Sequence, residues 1–153
     1  MRKSNSVIRT GGSVLAESLA IHKAKHVFIV PGESFLGALD AFSKKKKDIK
    51  IINARHEAGA SNMAEAYGKL TGEPGIAYVT RGPGACHASV GVHIAFQDST
   101  PMILLVGDIS RNLRDREAFQ EVDFKSFFSP ISKWVAEIND PDRVPEYINR
   151  AFS

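Results

Sequence analysis

A chain of 153 residues, 43% hydrophobic and 24% charged, has the balance of one ordinary globular domain with apolar surface for a single core. The net charge of +3 comes largely from the run Lys44–Lys47 and a basic start, with no aromatic residues interleaved, so those lysines read as a solvated turn and no nucleic-acid partner is expected. The polar opening Met1–Ser6 precedes no apolar run long enough for a signal peptide or membrane span, and the lone Cys86 excludes an internal disulfide and a multi-cysteine metal site, which together point to the cytoplasm.

In chain order, residues 1–11 read as a flexible N-terminus, and Ser13 caps a predicted helix reaching about Lys25 with Val14, Leu15, Leu19 and Ile21 as its apolar face. His26 to Val30 is a predicted strand. Pro31-Gly32-Glu33-Ser34 is a turn, after which Phe35, Leu36, Leu39 and Phe42 recur at helical spacing. A second pair follows, with a strand over Ile49 to Asn53 and a helix from His56 to Leu70 that stops at Thr71-Gly72.

Gly75 to Thr80 forms a third strand, Arg81-Gly82-Pro83-Gly84 a tight loop, and Ala85 to Phe96 a helix of small residues. Met102 to Val106 is the fourth strand. Gly107 to Glu121 is then polar and loop-like for longer than a compact domain carries without purpose. Lys133 to Ile138 is predicted as a fifth strand, and Asp140-Pro141 opens a last helix bearing Val144, Tyr147, Ile148 and Phe152. Alternating strands and helices, with continuous apolar runs in the strands, predict an α/β fold: a three-layer α/β/α sandwich on a mainly parallel sheet.

Three turns then fall at the carboxyl ends of strands: Pro31-Gly32-Glu33-Ser34, Arg55-His56-Glu57 and Arg81-Gly82-Pro83-Gly84. In an open parallel sheet those ends share one edge, where a ligand crevice forms. None of the three is a recognised phosphate loop, and Gly107-Asp108-Ile109 does not supply the Gly-Asp-Gly start of a magnesium-diphosphate motif. Glu57, at a strand-to-helix junction, is the carboxylate best placed for proton chemistry; taken alone it reads more readily as an acid favoured by the helix dipole. His56 reads as a structural partner rather than a base, Arg55 as a donor to carbonyls or acids at the turn, and Cys86 as a small packing residue.

Taken in order, Val30-Pro31-Gly32-Glu33, Arg55-His56-Glu57-Ala58, Met63-Ala64-Glu65-Ala66-Tyr67-Gly68, Thr80-Arg81-Gly82-Pro83-Gly84, Gln97-Asp98-Ser99-Thr100-Pro101 and Ala118-Phe119-Gln120-Glu121 resemble the N-terminal, pyrimidine-binding domain of thiamine-diphosphate-dependent enzymes, most like acetolactate synthase. The resemblance runs from about Gly12 to the end. It implies that Glu57 hydrogen-bonds the aminopyrimidine ring nitrogen, favouring an imino form that removes the thiazolium C2 proton, so that the ylide attacks a 2-oxo acid. It implies cofactor-binding roles for Pro31, Gly32, Glu33, Gly82, Pro83 and Gly84, and a substrate-channel role for Phe119 and Gln120. Two positions depart from the family pattern: Arg81 stands where many members carry Ser, and Glu33 where acetolactate synthases commonly carry Gly.

The resemblance further implies that thiamine diphosphate is shared with another subunit, that Mg2+ is held by a diphosphate-binding domain absent from this chain, and that FAD belongs only to a full-length enzyme. No metal ligand is assigned here. The expected partners are a homo-oligomer partner or a separate diphosphate-domain chain, and a small 2-oxo acid. Residues 12–153 are then a fragment of a longer enzyme that decarboxylates a 2-oxo acid and transfers the acyl carbanion unit, inactive alone, and the abrupt stop at Ser153 agrees. The alternatives are a stand-alone α subunit of a split 2-oxo acid decarboxylase, as in sulfopyruvate decarboxylase, or a non-catalytic assembly or binding module.

Overall fold

A computed structural model describes residues 9–153. Four strands, β1 (His26–Ile29), β2 (Lys50–Asn53), β3 (Gly75–Val79) and β4 (Met102–Val106), form one parallel sheet in the order β2-β1-β3-β4. All four carboxyl ends therefore lie along one edge. The period-two alternation of the strands divides the core: Val27, Ile29, Ile76, Tyr78 and Ile103 face one side, while Phe28, Ala77, Met102 and Leu104 face the other. Helices α1 (Gly11–Ile21), α2 (Leu36–Lys44) and α6 (Val144–Ala151) cover the first face, and α3 (Glu57–Thr71) and α4 (Pro83–Asp98) the second, with the short α5 (Phe124–Phe128) packed beside α4. The result is the three-layer α/β/α sandwich.

The two faces are packed differently. On the first, Phe35 stacks on Tyr78 at 4.1 Å between ring centroids and Phe42 meets the same ring edge-on, an aromatic cluster whose burial pushes the Tyr78 phenol pKa up. On the second, small residues let helices approach backbone to backbone: Ala60 and Ala64 of α3 lie on Ala77, and a Cβ at Gly91 of α4 would stand 2.6 Å from the Ser61 carbonyl carbon of α3. That close approach brings the amino ends of α3 and α4 together, and it is what builds the site.

Several local readings change. The Thr10 side chain, not Ser13, caps α1, because its hydroxyl accepts the Ser13 N–H while Ser13 itself lies within the first turn. Gly11 already belongs to this helix; Arg9 and Thr10 precede it outside any element, and the remainder of the expected N-terminus, residues 1–8, lies outside the described residues. Ile21 is 71% exposed, and α1 buries Leu15, Ala16, Ser18 and Leu19 instead. Leu36 is likewise exposed, since the 3-10 turn Glu33–Phe35 that precedes α2 directs Phe35 inward. Gly72 ends α3 in the left-handed conformation at φ 71°, as its position predicts. The lysine run begins on the last residue of α2 and continues as a turn over Lys45–Lys47, almost wholly exposed.

The predicted strand over Lys133 to Ile138 does not form; among the described residues the sheet stops at β4. Side chains, not a ladder, hold this segment. Val135 packs against the α4 cluster, Arg114 pairs with Glu137 at 2.7 Å, Arg111 donates to the Asn139 carbonyl, and Trp134 lies beneath Arg150 and beside Tyr147 of α6. Asp140 caps the 3-10 turn Pro141–Arg143 that leads into α6.

Candidate functional site

Glu57 is the first residue of α3, immediately after the turn leaving β2. Its side chain is only 13% exposed. His56 caps the same helix: its Nδ1 accepts the Ala58 N–H at 3.2 Å, so this ring nitrogen carries the lone pair and His56 acts structurally, as its position suggested. Arg55 is exposed.

The start of α4, just past the turn after β3, lies against this carboxylate. A Cβ on Gly84 would touch Glu57 Oε1 at 3.4 Å and clash with the Thr80 methyl at 2.8 Å, so a side chain at residue 84 would have to displace Thr80 beside the acid. The other carboxylate oxygen, Oε2, is 3.1 Å from His87 Nδ1, one helical turn into α4. Among the described residues Oε1 accepts no hydrogen bond. The His87 ring also stacks on His56 at 4.6 Å with 30° between planes. Sequence reasoning missed His87, because its relevance depends on α4 starting beside α3, and nothing in a linear reading places those two helix ends together.

The turn after β1 joins on the other side. Ser34 and Thr80 hydroxyls bond at 2.8 Å, and a Cβ at Gly32 would fall 2.5 Å from the Thr80 Cβ, so the two turns are in direct contact. Glu33 and Arg81, the two departures from the family pattern, form an ion pair with each other. Arg81 is 12% exposed on its side chain, donates its Nε to the Phe119 carbonyl at 3.2 Å, and lies 5.9 Å over the Phe119 ring. Pro31 and Pro83 are exposed on the same rim.

Phe119 and Gln120 reach this rim from the long segment after β4. Gln120 has φ 64°, and a Cβ on Gly82, itself at φ 54°, would stand 2.7 Å from that of Gln120. The segment is not slack: Arg114 bridges Asp108 and Glu137, and the Glu121 carboxylate accepts the Asp115 and Ala118 N–H groups at 2.7 and 2.9 Å. Those two backbone donors hold the Glu121 pKa below the usual carboxylate range. Phe119 is 74% exposed, so its ring contributes surface at the rim rather than core packing. Cys86 is exposed too, a correction to its reading as a packing residue: Ala85 and Ala88 take the inward positions of α4, and Cys86 falls outside their arc.

His56, Glu57 and His87 offer ligand atoms within 4.8 Å of one another, a spacing a metal ion can bridge. The tautomers oppose it. His56 Nδ1 is engaged by the Ala58 N–H, which leaves the proton on Nε2, and binding a metal there would require shifting that proton and surrendering the helix cap. The cluster is better described as a carboxylate braced by two rings.

The chain's residues 9–127 match the family described as "Thiamine pyrophosphate enzyme, N-terminal TPP binding domain". It is 38% identical over 152 residues to the acetolactate synthase large subunit of Cyanidium caldarium, covering 98% of this chain and 26% of that protein. It is 34% identical over 152 residues to the acetolactate synthase of Bacillus subtilis (strain 168), covering 99% and 26%. Against the probable acetolactate synthase large subunit of Methanocaldococcus jannaschii it is 34% identical over 142 residues, covering 93% and 24%. The chain thus spans about a quarter of the length of these curated relatives. With a parallel sheet whose carboxyl edge brings together the turns after β1, β2 and β3 and the Phe119-Gln120 segment, this chain belongs to the thiamine pyrophosphate enzymes as an acetolactate-synthase-like N-terminal TPP-binding domain.

Proposed function

We propose that this chain supplies the pyrimidine-binding half of an enzyme that decarboxylates a 2-oxo acid and transfers the resulting acyl carbanion unit, with Glu57 as the activating carboxylate. One observation carries the reading. A carboxylate 13% exposed has one oxygen anchored by His87 and leaves the other, beside Gly84, without a partner among the described residues, at the edge where turns from three parallel strands meet. That is the donor-acceptor demand of a ring nitrogen with which an acid shares a proton. Thiamine diphosphate, when bound, supplies the carbanion chemistry.

The chain's own residues bind and orient. Gly32, Gly82 and Gly84, with Pro31 and Pro83 beside them, keep the rim low enough for a flat heteroaromatic ring to reach Glu57. Glu33 is turned to Arg81, which braces the rim against the Phe119-Gln120 segment. Phe119 and Gln120 border the adjoining substrate channel. Diphosphate and Mg2+ fall to a further domain, and any FAD to the complete enzyme, in line with the quarter-length span of the relatives.

The covering partner is a homo-oligomer partner or a separate diphosphate-domain chain. Val90 and Ile94, 43% and 37% exposed, continue from His87 along the outer side of α4 and form the apolar border such a partner would cover. Among the described residues no helix is long and apolar enough to cross a membrane.

The test is exchange of the cofactor C2 proton in the complete enzyme. Glu57→Gln is expected to slow exchange by about 10²-fold or more while the fold is retained. An unchanged exchange rate overturns the assignment.

A further inference from the structure

We propose that His87 is a positioning residue for Glu57: its Nδ1–H holds Oε2 of the carboxylate so that Oε1 alone is presented to the pyrimidine. This rests on the reading of Glu57 given above and adds a residue to it. The geometry is specific. With Glu57 ionised, the carboxylate only accepts, so the 3.1 Å contact requires the His87 tautomer protonated on Nδ1. The ring is held face-on against His56 at 4.6 Å, and His56 is itself locked as the α3 cap through Ala58. The chain of support therefore runs from the helix backbone through one imidazole to the next and ends on one carboxylate oxygen.

The consequence is orientational. A glutamate at the start of a helix retains rotation about its terminal bonds, and either oxygen can face the Gly84 side. Engaging Oε2 removes that choice, and it sets Oε1 on the Gly84 side, beside the Thr80 methyl. Supporting bonds of this kind keep a reacting group within the narrow tolerance that proton sharing needs. Asparagine carries its amide nitrogen on Cγ, as histidine carries Nδ1, so His87→Asn can place a donor at nearly the same point without the ring. His87→Phe does the converse, keeping a ring for the stack and removing the donor.

Two measurements test this. In the 153-residue chain labelled with 15N-histidine, the His87 ring is expected to show a protonated Nδ1 and an unprotonated Nε2, and Glu57→Ala is expected to abolish that preference. In the complete enzyme, His87→Phe is expected to slow C2 proton exchange about 10-fold, and His87→Asn to recover most of the loss. A His87 ring protonated on Nε2, indifferent to Glu57→Ala, overturns the proposal even if His87→Phe fails to fold. Full exchange in a folded His87→Phe enzyme overturns it as well, and if Glu57→Gln is slow in the same assay the assignment of Glu57 stands. Fast exchange in Glu57→Gln overturns that assignment instead.

Discussion

Arg81 and Glu33 show how two departures from a family pattern explain each other once they are neighbours. Each is an unexpected charge at the rim proposed to meet a flat cofactor ring, and each neutralises the other while Arg81 reaches on to the Phe119 carbonyl. Buried ion pairs are costly, but here Glu33 is 70% exposed and keeps most of its hydration, so the pair serves geometry more than stability. The adjoining Gly82 is under a stricter demand. Its φ of 54° and the 2.7 Å approach to the Gln120 Cβ leave no space for a methyl group. Gly82→Ala is expected to destabilise the domain by about 1–3 kcal/mol, seen in chemical denaturation, and to displace the Phe119-Gln120 segment. An unchanged midpoint would show that the segment moves aside without cost.

At the scale of elements, the site depends on how closely α3 and α4 approach. Gly91 is the contact that permits it, because a Cβ there would meet the Ser61 backbone at 2.6 Å. Gly91→Ala should therefore push the helices apart, at about 1–3 kcal/mol of stability, and lengthen the His87–Glu57 contact by the same movement. A thermal melt together with the His87 ring 15N shifts would register both effects. The long segment after β4 has a different anchor. Glu121 has its pKa depressed first by the Asp115 N–H and then by the Ala118 N–H. A depressed carboxylate contributes stability that is present above its unfolded value and lost as pH falls through its folded one. Amide exchange at Asp115 and Ala118 is accordingly expected to be slow near neutrality and to accelerate, relative to an unfolded reference, below the ordinary glutamate value of 4.5. Protection that does not change across that range would remove Glu121 as the anchor.

For the whole molecule, the carboxyl edge of the sheet carries the proposed chemistry and the outer side of α4 carries exposed apolar surface next to it. Val90 is 43% exposed, so Val90→Asp is expected to leave the unfolding free energy of this chain within roughly 0.5 kcal/mol while weakening subunit assembly of the complete enzyme, as sedimentation would show. Intact assembly would place the partner surface elsewhere. Much of this architecture was legible beforehand, because hydrophobic period and turn chemistry are local: four strands, the parallel layering, the Gly72 stop and the three turns all follow from residues close together in the chain. The predicted strand over Lys133 to Ile138 failed for the complementary reason. An extended apolar segment becomes a strand only if a neighbour accepts its backbone bonds, and here Arg111, Arg114 and α4 engage it through side chains instead. By itself the sequence determined the α/β class, the family motifs and the prominence of Glu57. Only the tertiary structure decided that His87 braces that carboxylate, that Arg81 answers Glu33, and that Gln120 closes on Gly82, since each contact joins positions at least 30 residues apart and depends on the close packing of α3, α4 and the long segment rather than on local preference.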